Sequence, residues 1–301
     1  MHPLSHRLKE QNDHHLFNRR WLVDLKEADL SLPAYAIING WMAYIESNQW
    51  FQDELKGKVN IFSYEARGTG KSPKNGRLDP VQYAIDADRI IGEAFKEYDQ
   101  LAKEQGITPG SKIIQANCMG TLPLATMFAA KLPLSRKVDG VVLLSPVSTF
   151  NLPWKIKFGF FVPPLLAKVL RRYVAPIVVR KIAPKEESER SRQESLKRLN
   201  SIDLGVAGKQ AREVLWKADV TPFWKTIKVP ALILVSDSDP LVRLEESVEV
   251  YHRLPFPIWM QMTAPDHLIL EDNIDKVKVF LPEFAANPWN FYEKNKHRKP
   301  M

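Results

Sequence analysis

Short runs of β-branched and other apolar residues alternate with longer amphipathic segments along most of the chain. Six of these runs predict buried strands, over residues 35–38, 59–64, 112–116, 138–144, 231–235 and 257–262. Strands that alternate with helices in this way are typical of an α/β fold, in which helices cover a mostly parallel, doubly wound sheet.

The longest amphipathic segment lies between the second and third predicted strands. Its apolar residues recur at intervals of three and four and predict one face of a helix: Tyr83, Ala87, Ile90, Ile91, Ala94, Tyr98 and Leu101. Similar patterns predict helices over residues 45–56, 119–131, 245–254 and 274–284. Pro282 should kink or end the last of these helices.

The alternation of strands and helices stops between residues 147 and 228. This part of the chain has several helical patterns and no clear strand, and five prolines punctuate it between Pro153 and Pro184. We therefore interpret residues 147–229 as a helical cap inserted into a core formed by residues 31–146 and 230–286. Residues 1–30 are predicted to be an N-terminal extension, and residues 287–301 a basic C-terminal tail whose aromatic side chains dock on the core.

The positive charge of the chain is concentrated in the cap. The formal net charge is +8, and residues 151–200 contain 12 Lys or Arg against 4 Glu, so the remaining residues are balanced. No recognisable nucleic-acid module accompanies this charge, and nucleic acid is not an expected partner. The basic face of the cap could attract an acyl carrier protein or a membrane surface. Alternatively, the cap only buries one face on the core and exposes the other to solvent.

The composition also limits the compartment and the cofactors. A hydrophobic content of 45% over 301 residues is enough for a sizeable core. One cysteine cannot form an intramolecular disulfide, and no apolar run has the length of a signal peptide or membrane span, so we expect a cytoplasmic protein. Scattered histidines and one cysteine give no metal-ligand cluster, and GTGKS is too short for a phosphate loop. We therefore expect no metal and no cofactor.

The only cysteine, Cys118, lies between a predicted strand and a predicted helix. Small residues lie two positions before and two positions after it, at Ala116 and Gly120. A tight strand-to-helix turn that presents a nucleophile requires small residues at these positions. The N-terminus of the following helix would favour the thiolate form. Alternatively, Cys118 is an ordinary buried cysteine.

A base and an acid can be found further along the chain. His267 follows the sixth predicted strand on a loop, where an imidazole can reach a nucleophile on a neighbouring strand, whereas His252 lies within a predicted helix. Either Asp237 or Asp239, after the fifth predicted strand, could orient the imidazole. We favour Asp239, and expect Asp237 to cap the turn.

Two backbone N–H groups are needed to bind an oxyanion. Met119 follows the proposed nucleophile and would supply one. Trp41, after the first of the six predicted strands, would supply the other, with Gly40 allowing close approach of the backbone. Alternatively, Asn39 and Gly40 simply form a turn.

Five stretches in this order resemble the α/β-hydrolase fold family over residues 31–286. They are INGW at the oxyanion loop, SYEARGTGKS after the second core strand, ANCMG at the nucleophile elbow, SDSDPLV at the acid and APDHLILED at the histidine. Three positions depart from the family pattern, since Asn39 replaces a frequent histidine, Ala116 a glycine and Cys118 a serine. The elbow is similar to those of dienelactone hydrolases and polyhydroxyalkanoate synthases, which use cysteine.

The resemblance implies a hydrolase with a Cys118, His267 and Asp239 triad and an acyl-cysteine intermediate. Its substrate would be an ester or thioester of a hydrophobic acyl group. A thiolate forms thioesters readily, so transfer of the acyl group to an acceptor other than water stays open. A third possibility is a binding or scaffold protein that keeps the fold without turnover.

Overall fold

The computed structural model describes residues 14–41, 43–149, 203–239, 241–264 and 269–300. Seven strands in these residues form one sheet in the order β1-β3-β2-β4-β5-β6-β7. All neighbouring pairs are parallel except β1 and β3. The strands are β1 Arg19–Trp21, β2 Ala34–Ile38, β3 Asn60–Tyr64, β4 Lys112–Asn117, β5 Gly140–Leu144, β6 Ala231–Ser236 and β7 Pro257–Met262.

Helices cover both faces of this sheet, as the predicted fold class requires. The α-helices of the described residues are α1 Gln49–Glu54, α2 Pro80–Glu104, α3 Thr121–Ala129, α4 Leu204–Gln210, α5 Leu244–Arg253, α6 Ile269–Asp272, α7 Ile274–Ala286 and α8 Pro288–Asn295. Shorter 3₁₀ helices span His14–Leu16, Ile45–Asn48, Cys118–Gly120, Pro133–Arg136 and Thr221–Thr226, and a π-helix spans Ala211–Trp216. No helix in the described ranges combines the length and apolar content needed to cross a membrane.

The core consists of two apolar layers, one on each side of the sheet. One layer lies between the sheet and helices α2, α3 and α5. The other lies between the sheet and helices α1, α7 and α8. Parallel strands buried on both faces read as continuous apolar runs, and this is why the sequence pattern identified six of the seven strands.

Helix α2 shows how local sequence fixes an element. Asp79 caps its N-terminus by accepting a hydrogen bond from the Gln82 N–H at 2.9 Å, and Pro80 occupies the first turn, where its missing N–H costs nothing. The predicted apolar face is buried along the helix, with Leu101 partly exposed near its end. The prediction of this helix is confirmed.

Strand β1 was not predicted, because its three residues contain no apolar run. It lies in the segment interpreted as an N-terminal extension and pairs antiparallel with β3 at the sheet edge. Trp21 anchors it, since its ring centroid lies 5.3 Å from the rings of both Phe62 and Tyr98. One well-packed aromatic side chain therefore replaces the apolar run that marks the other strands.

Helix α7 continues through Pro282, so of the two expected effects of this proline, a kink or an end of the helix, the second does not occur. Proline lacks the N–H that would bond to the carbonyl four residues earlier, here that of Lys278. The Lys58 ammonium donates to that carbonyl oxygen at 2.8 Å. A distant side chain thus satisfies the acceptor that the proline leaves open.

The segment predicted as a C-terminal tail contains helix α8. Asn287 caps this helix by accepting a hydrogen bond from the Asn290 N–H, and Phe291 is buried against Phe284 with 5.6 Å between ring centroids. Most of the predicted cap, residues 150–202, lies outside the described residues. Its described end, residues 203–229, contains α4, the π-helix and the last 3₁₀ helix.

Candidate active site

Cys118 occupies a strained turn at the C-terminal end of β4. Its φ angle is 48°, in the left-handed region that non-glycine residues rarely adopt, and it begins the 3₁₀ turn that leads into α3. The residue is partly exposed. Strain of this kind persists where the surrounding structure enforces it, commonly at functional sites, and here it turns the only thiol out of the strand end.

Small residues around Cys118 are required by contacts with β2. A Cβ atom at Gly120 would lie 2.5 Å from the carbonyl oxygen of Ile38 and 2.8 Å from that of Asn39. These are backbone atoms that cannot move aside cheaply, so only glycine allows α3 to begin here. Ala116 is fully buried in the sheet.

Thr121 fixes the turn from its other side. Its hydroxyl donates to the carbonyl oxygen of Cys118 at 2.7 Å and accepts from the Val147 N–H at 3.4 Å. The elbow is therefore tied to the chain that leaves β5, the next strand in the sheet.

The predicted oxyanion loop lies directly against the elbow. Gly40 follows β2, and a Cβ atom at Gly40 would lie 3.2 Å from the Asn117 carbonyl oxygen and 3.8 Å from the Cys118 Cβ. Strands β2 and β4 are neighbours in register, with Ile38 opposite Ala116. This register brings the backbone of the loop close to the strained turn.

Asn39 holds the base of the loop. Its side chain is only 3% exposed, donates to the Tyr64 carbonyl oxygen at 3.0 Å and accepts from the Asn48 amide at 2.9 Å. Asn39 thus connects β2 to the end of β3. The residue that departs from the family's frequent histidine serves as a buried structural link.

Asp239 follows β6 and is held by three hydrogen bonds. One carboxylate oxygen accepts from the N–H groups of Leu241 and Val242 at 2.8 and 3.0 Å. The other accepts from the Ser145 hydroxyl at 2.8 Å. Asp237 is exposed and accepts from the Ser238 hydroxyl. The expectation that Asp237 caps this turn is wrong, because Asp239 does so.

Ser145 is a site residue that the sequence reasoning missed. It directly follows β5, has a φ angle of 45° and is 1% exposed. Its position after β5 could have indicated this role, because β5 lies between the strands that carry Cys118 and Asp239. Hydroxyls at strand ends are common, so this position becomes informative only once the strand order is known.

The sheet therefore brings most of the predicted site to one edge. Trp41, Cys118 and Asp239 follow strands β2, β4 and β6, whose C-terminal ends share that edge, and Met119 follows Cys118. His267 lies outside the described residues, in the segment between β7 and α6. Its meeting with Cys118 remains a prediction. No cluster of three potential metal-ligating side chains occurs in the described part of the chain.

The loop after β3 is stabilised by two buried charged groups. Glu65 accepts from the Lys71 N–H at 2.7 Å, and Gly70, with a φ angle of 51°, is required because a Cβ atom there would overlap the Glu65 carboxylate. Arg67 forms a bidentate ion pair with Asp86, in which its Nε and Nη2 atoms donate to the two carboxylate oxygens at 2.8 and 2.9 Å. The charged residues of SYEARGTGKS thus shape the loop.

The mostly parallel sheet, the strained elbow and the residues gathered at its C-terminal edge define an α/β hydrolase. The chain belongs to the family described as serine aminopeptidase, S33, whose sequence model matches residues 36–258. That family is named for a serine enzyme, whereas this chain has Cys118 at the elbow. No curated protein sequence matches the chain.

Solved structures share the fold at low sequence identity. A bromoperoxidase from Bacillus anthracis superposes with a TM-score of 0.69 at 14% identity, covering 89% of this chain and 99% of that one. An esterase from Exiguobacterium antarcticum gives 0.66 at 14% identity, with 89% and 94% covered. An enol-lactonase from Burkholderia xenovorans LB400 gives 0.64 at 15% identity, with 89% and 95% covered. At these identities the likeness concerns the fold alone.

Proposed function

We propose that the protein hydrolyses an ester or thioester of a hydrophobic acyl group through an acyl-cysteine intermediate. The observation that supports this most directly is the left-handed backbone of Cys118 at a partly exposed strand end. A cysteine with a purely structural role would gain nothing from that strain, which is of the order of 1–3 kcal/mol. The strain is understandable if the thiol must face a substrate.

The proposed reaction begins with attack by the Cys118 thiolate on the acyl carbonyl carbon. A C–S bond forms, and the carbonyl electron pair moves onto oxygen, where the N–H groups of Met119 and Trp41 bind the negative charge. The intermediate collapses as its bond to the alcohol or thiol leaving group breaks. That group takes a proton from the His267 imidazolium.

Water completes the cycle by hydrolysing the thioester formed on Cys118. His267 takes a proton from water as the oxygen attacks, the C–S bond breaks, and a carboxylic acid leaves. The thiolate and the imidazolium are thereby restored. Asp239 is the proposed partner of the imidazole, which it would orient and stabilise when charged. The three hydrogen bonds to its carboxylate support this role, because they fix its position before substrate binds.

The acyl group is proposed to be hydrophobic because of the sequence of the predicted cap. Residues 154–170 read WKIKFGFFVPPLLAKVL, which supplies apolar and aromatic side chains for an acyl chain. The lysines of this segment, and Arg171, Arg172 and Arg180 after it, would suit a phosphate or carboxylate on the remainder of the substrate, an acidic carrier protein or an anionic membrane surface.

The test is intact-mass measurement of the full chain after incubation with acyl esters and acyl thioesters of increasing chain length. Cys118 is the only thiol, so a thioester adduct that is removed by hydroxylamine reports on this residue alone. Cys118→Ala and His267→Ala should lose turnover, whereas His252→Ala, on the exposed face of α5, should retain it. Undiminished turnover by Cys118→Ala would reject the proposal.

The reaction products show whether the acyl group is transferred to water or to another acceptor. Free acid as the only product identifies a hydrolase, whereas transfer to an added alcohol or amine in preference to water identifies an acyltransferase. A parent chain that forms no adduct and releases no product with any of these substrates would instead favour a binding protein.

A further inference from the structure

Gln210 is a buried amide that contacts three separate parts of the site's surroundings. It ends helix α4, is 1% exposed, and its NH₂ group donates to the Arg67 carbonyl oxygen and to the Tyr83 hydroxyl, both at 2.9 Å. Its carbonyl oxygen accepts from the indole N–H of Trp41 at 3.2 Å. Both amide hydrogens and the amide oxygen are therefore used.

The network fixes which way this amide points. Tyr83 donates its hydroxyl proton to the Arg67 carbonyl oxygen at 2.9 Å, so it can only accept from Gln210. Burial raises the pKa of Tyr83 well above its ordinary value, and the hydroxyl keeps its proton at neutral pH. A flipped amide would set oxygen against the Arg67 carbonyl and NH₂ against the Trp41 N–H. A single orientation satisfies every group.

Helix α4 packs closely on the loop after β3. A Cβ atom at Gly68, which has a φ angle of 85°, would lie 2.7 Å from both the Gln210 amide nitrogen and a Val206 methyl carbon. The Lys209 ammonium donates to the Gly76 carbonyl oxygen at 3.1 Å. The end of α4 is therefore seated on a loop that the buried pair of Arg67 and Asp86 already holds.

The helix changes from α to π geometry immediately after Gln210. Residues Ala211–Trp216 form a π-helix, a conformation that is rare and concentrated at functional sites. Ala211 and Val214 within it are fully buried. The π-helix allows Ala211 and Val214 to be buried while the Gln210 amide lies beside Trp41.

We propose that Gln210 is a positioning residue that sets the oxyanion loop through the indole of Trp41. This inference rests on the proposed function, in which the backbone N–H of Trp41 binds the oxyanion. The Trp41 side chain is anchored by Gln210, and the loop's other end is anchored by Asn39. Since α4 belongs to the described end of the predicted cap, the contact couples the end of the cap to the atoms that would stabilise the transition state.

The expected effect is a selective loss of reactions that need an oxyanion hole. A displacement of about 1 Å can cost on the order of 10²-fold in rate. Gln210→Met preserves length and burial but removes all three hydrogen bonds. Trp41→Phe retains the backbone N–H and removes only the indole donor. Each should slow acylation of Cys118 by an activated ester by roughly 10-fold or more, and the double variant should be little worse than the slower single variant.

Alkylation of Cys118 by iodoacetamide is the second readout, because that substitution develops no carbonyl oxyanion. Both variants should alkylate within about twofold of the parent rate, since the thiol and its turn are unchanged. Lys217→Met is the matched control, because this exposed lysine pairs with Glu213 on the surface, and both of its rates should equal those of the parent.

Parental acylation rates in Gln210→Met and Trp41→Phe would overturn the inference while leaving the proposed function intact. An equal fall in acylation and alkylation would also overturn it, because that pattern indicates general damage to the elbow. If Gln210→Met does not fold, Trp41→Phe decides alone. A parent protein that is alkylated but never acylated would reject the proposed function and this inference together.

Discussion

The Ser145 hydroxyl donates a 2.8 Å hydrogen bond to the Asp239 carboxylate and thereby links the ends of β5 and β6. Both residues are placed by backbone features. Ser145 has a φ angle of 45°, in the left-handed region, at the end of its strand, and Asp239 closes a turn with two backbone N–H groups. The proposed acid is therefore oriented by the main chain of its own turn and by one side chain from the neighbouring strand.

Ser145→Ala should lower kcat/KM without unfolding the protein. Alanine keeps the Cβ atom, so the strain at this φ angle is unchanged and only the hydrogen bond is lost. A bond to a charged group contributes about 1.5–3 kcal/mol, so we expect a fall on the order of 10-fold or more if Asp239 orients the base.

The matched control is Ser238→Ala, which removes an exposed hydroxyl that contacts Asp237. Its kcat/KM should stay at the parental value. Steady-state kinetics on the best substrate of the acyl panel measure both variants, and equal activities for Ser145→Ala and the parent would exclude the orienting role.

Asp239→Asn should be far more damaging to activity than Asp237→Asn. Asparagine retains an oxygen for the two backbone N–H groups, and Ser145 can reverse its hydroxyl to accept from the new NH₂ group, so the turn should persist. Loss of the carboxylate charge should lower kcat by about 10²–10⁴-fold, the range expected when a triad loses its acid. Comparable losses in both variants would contradict the assignment of Asp239.

The sequence was most informative where burial alone decides structure. Strands β2 to β7 are apolar runs with turn residues at their ends, and the observed and predicted boundaries differ by no more than two residues. The elbow was also visible, because its small residues at positions 116 and 120 fit a strand-to-helix turn pattern that can be read from consecutive residues. Both patterns can be read from residues close together in the chain, although the contacts that require Gly120 come from Ile38 and Asn39.

The features that the sequence did not predict depend on distant partners. Strand β1 needs Phe62 and Tyr98 to hold Trp21. The uninterrupted helix α7 needs Lys58, which is far away in sequence from the carbonyl it satisfies. Ser145 becomes a site residue only through the strand order. Composition and periodicity carry no information on such pairings.

Gly120→Ala should destabilise the protein, whereas Gly92→Ala should stabilise it. A Cβ atom at Gly120 would overlap the carbonyl oxygens of Ile38 and Asn39, and overpacking of this kind costs about 1–3 kcal/mol. A Cβ atom at Gly92, in the middle of α2, has no neighbour within 4 Å. Alanine there should add about 0.5–1 kcal/mol to the free energy of unfolding. Urea denaturation of both variants measures the change in the free energy of unfolding, which should have opposite signs in the two variants.

Arg67→Met should be among the most destabilising single substitutions in the loop after β3. The Arg67 side chain is fully buried, and its removal leaves Asp86 buried with only the Gln82 amide as a partner. Breaking a buried ion pair from one side typically costs about 3–5 kcal/mol. The double variant Arg67→Met/Asp86→Leu should recover part of that loss in urea denaturation, because no unpaired charge remains. A single variant as stable as the parent would exclude this role for the pair.

Cys118→Gly should be more stable than Cys118→Ala, although glycine normally destabilises a folded chain. A residue with a Cβ atom in left-handed geometry costs about 1–2 kcal/mol, which glycine avoids. Glycine's larger loss of backbone entropy offsets about 0.5–1 kcal/mol of that gain, so the free energy of unfolding of the glycine variant should exceed that of the alanine variant by up to about 1.5 kcal/mol. Neither variant has a thiol, so the comparison isolates backbone strain from catalysis. At position 92 the order of the same two residues should be reversed, with alanine the more stable. If alanine is also the more stable residue at position 118, the elbow stores no strain, and the main support for Cys118 as a nucleophile is lost.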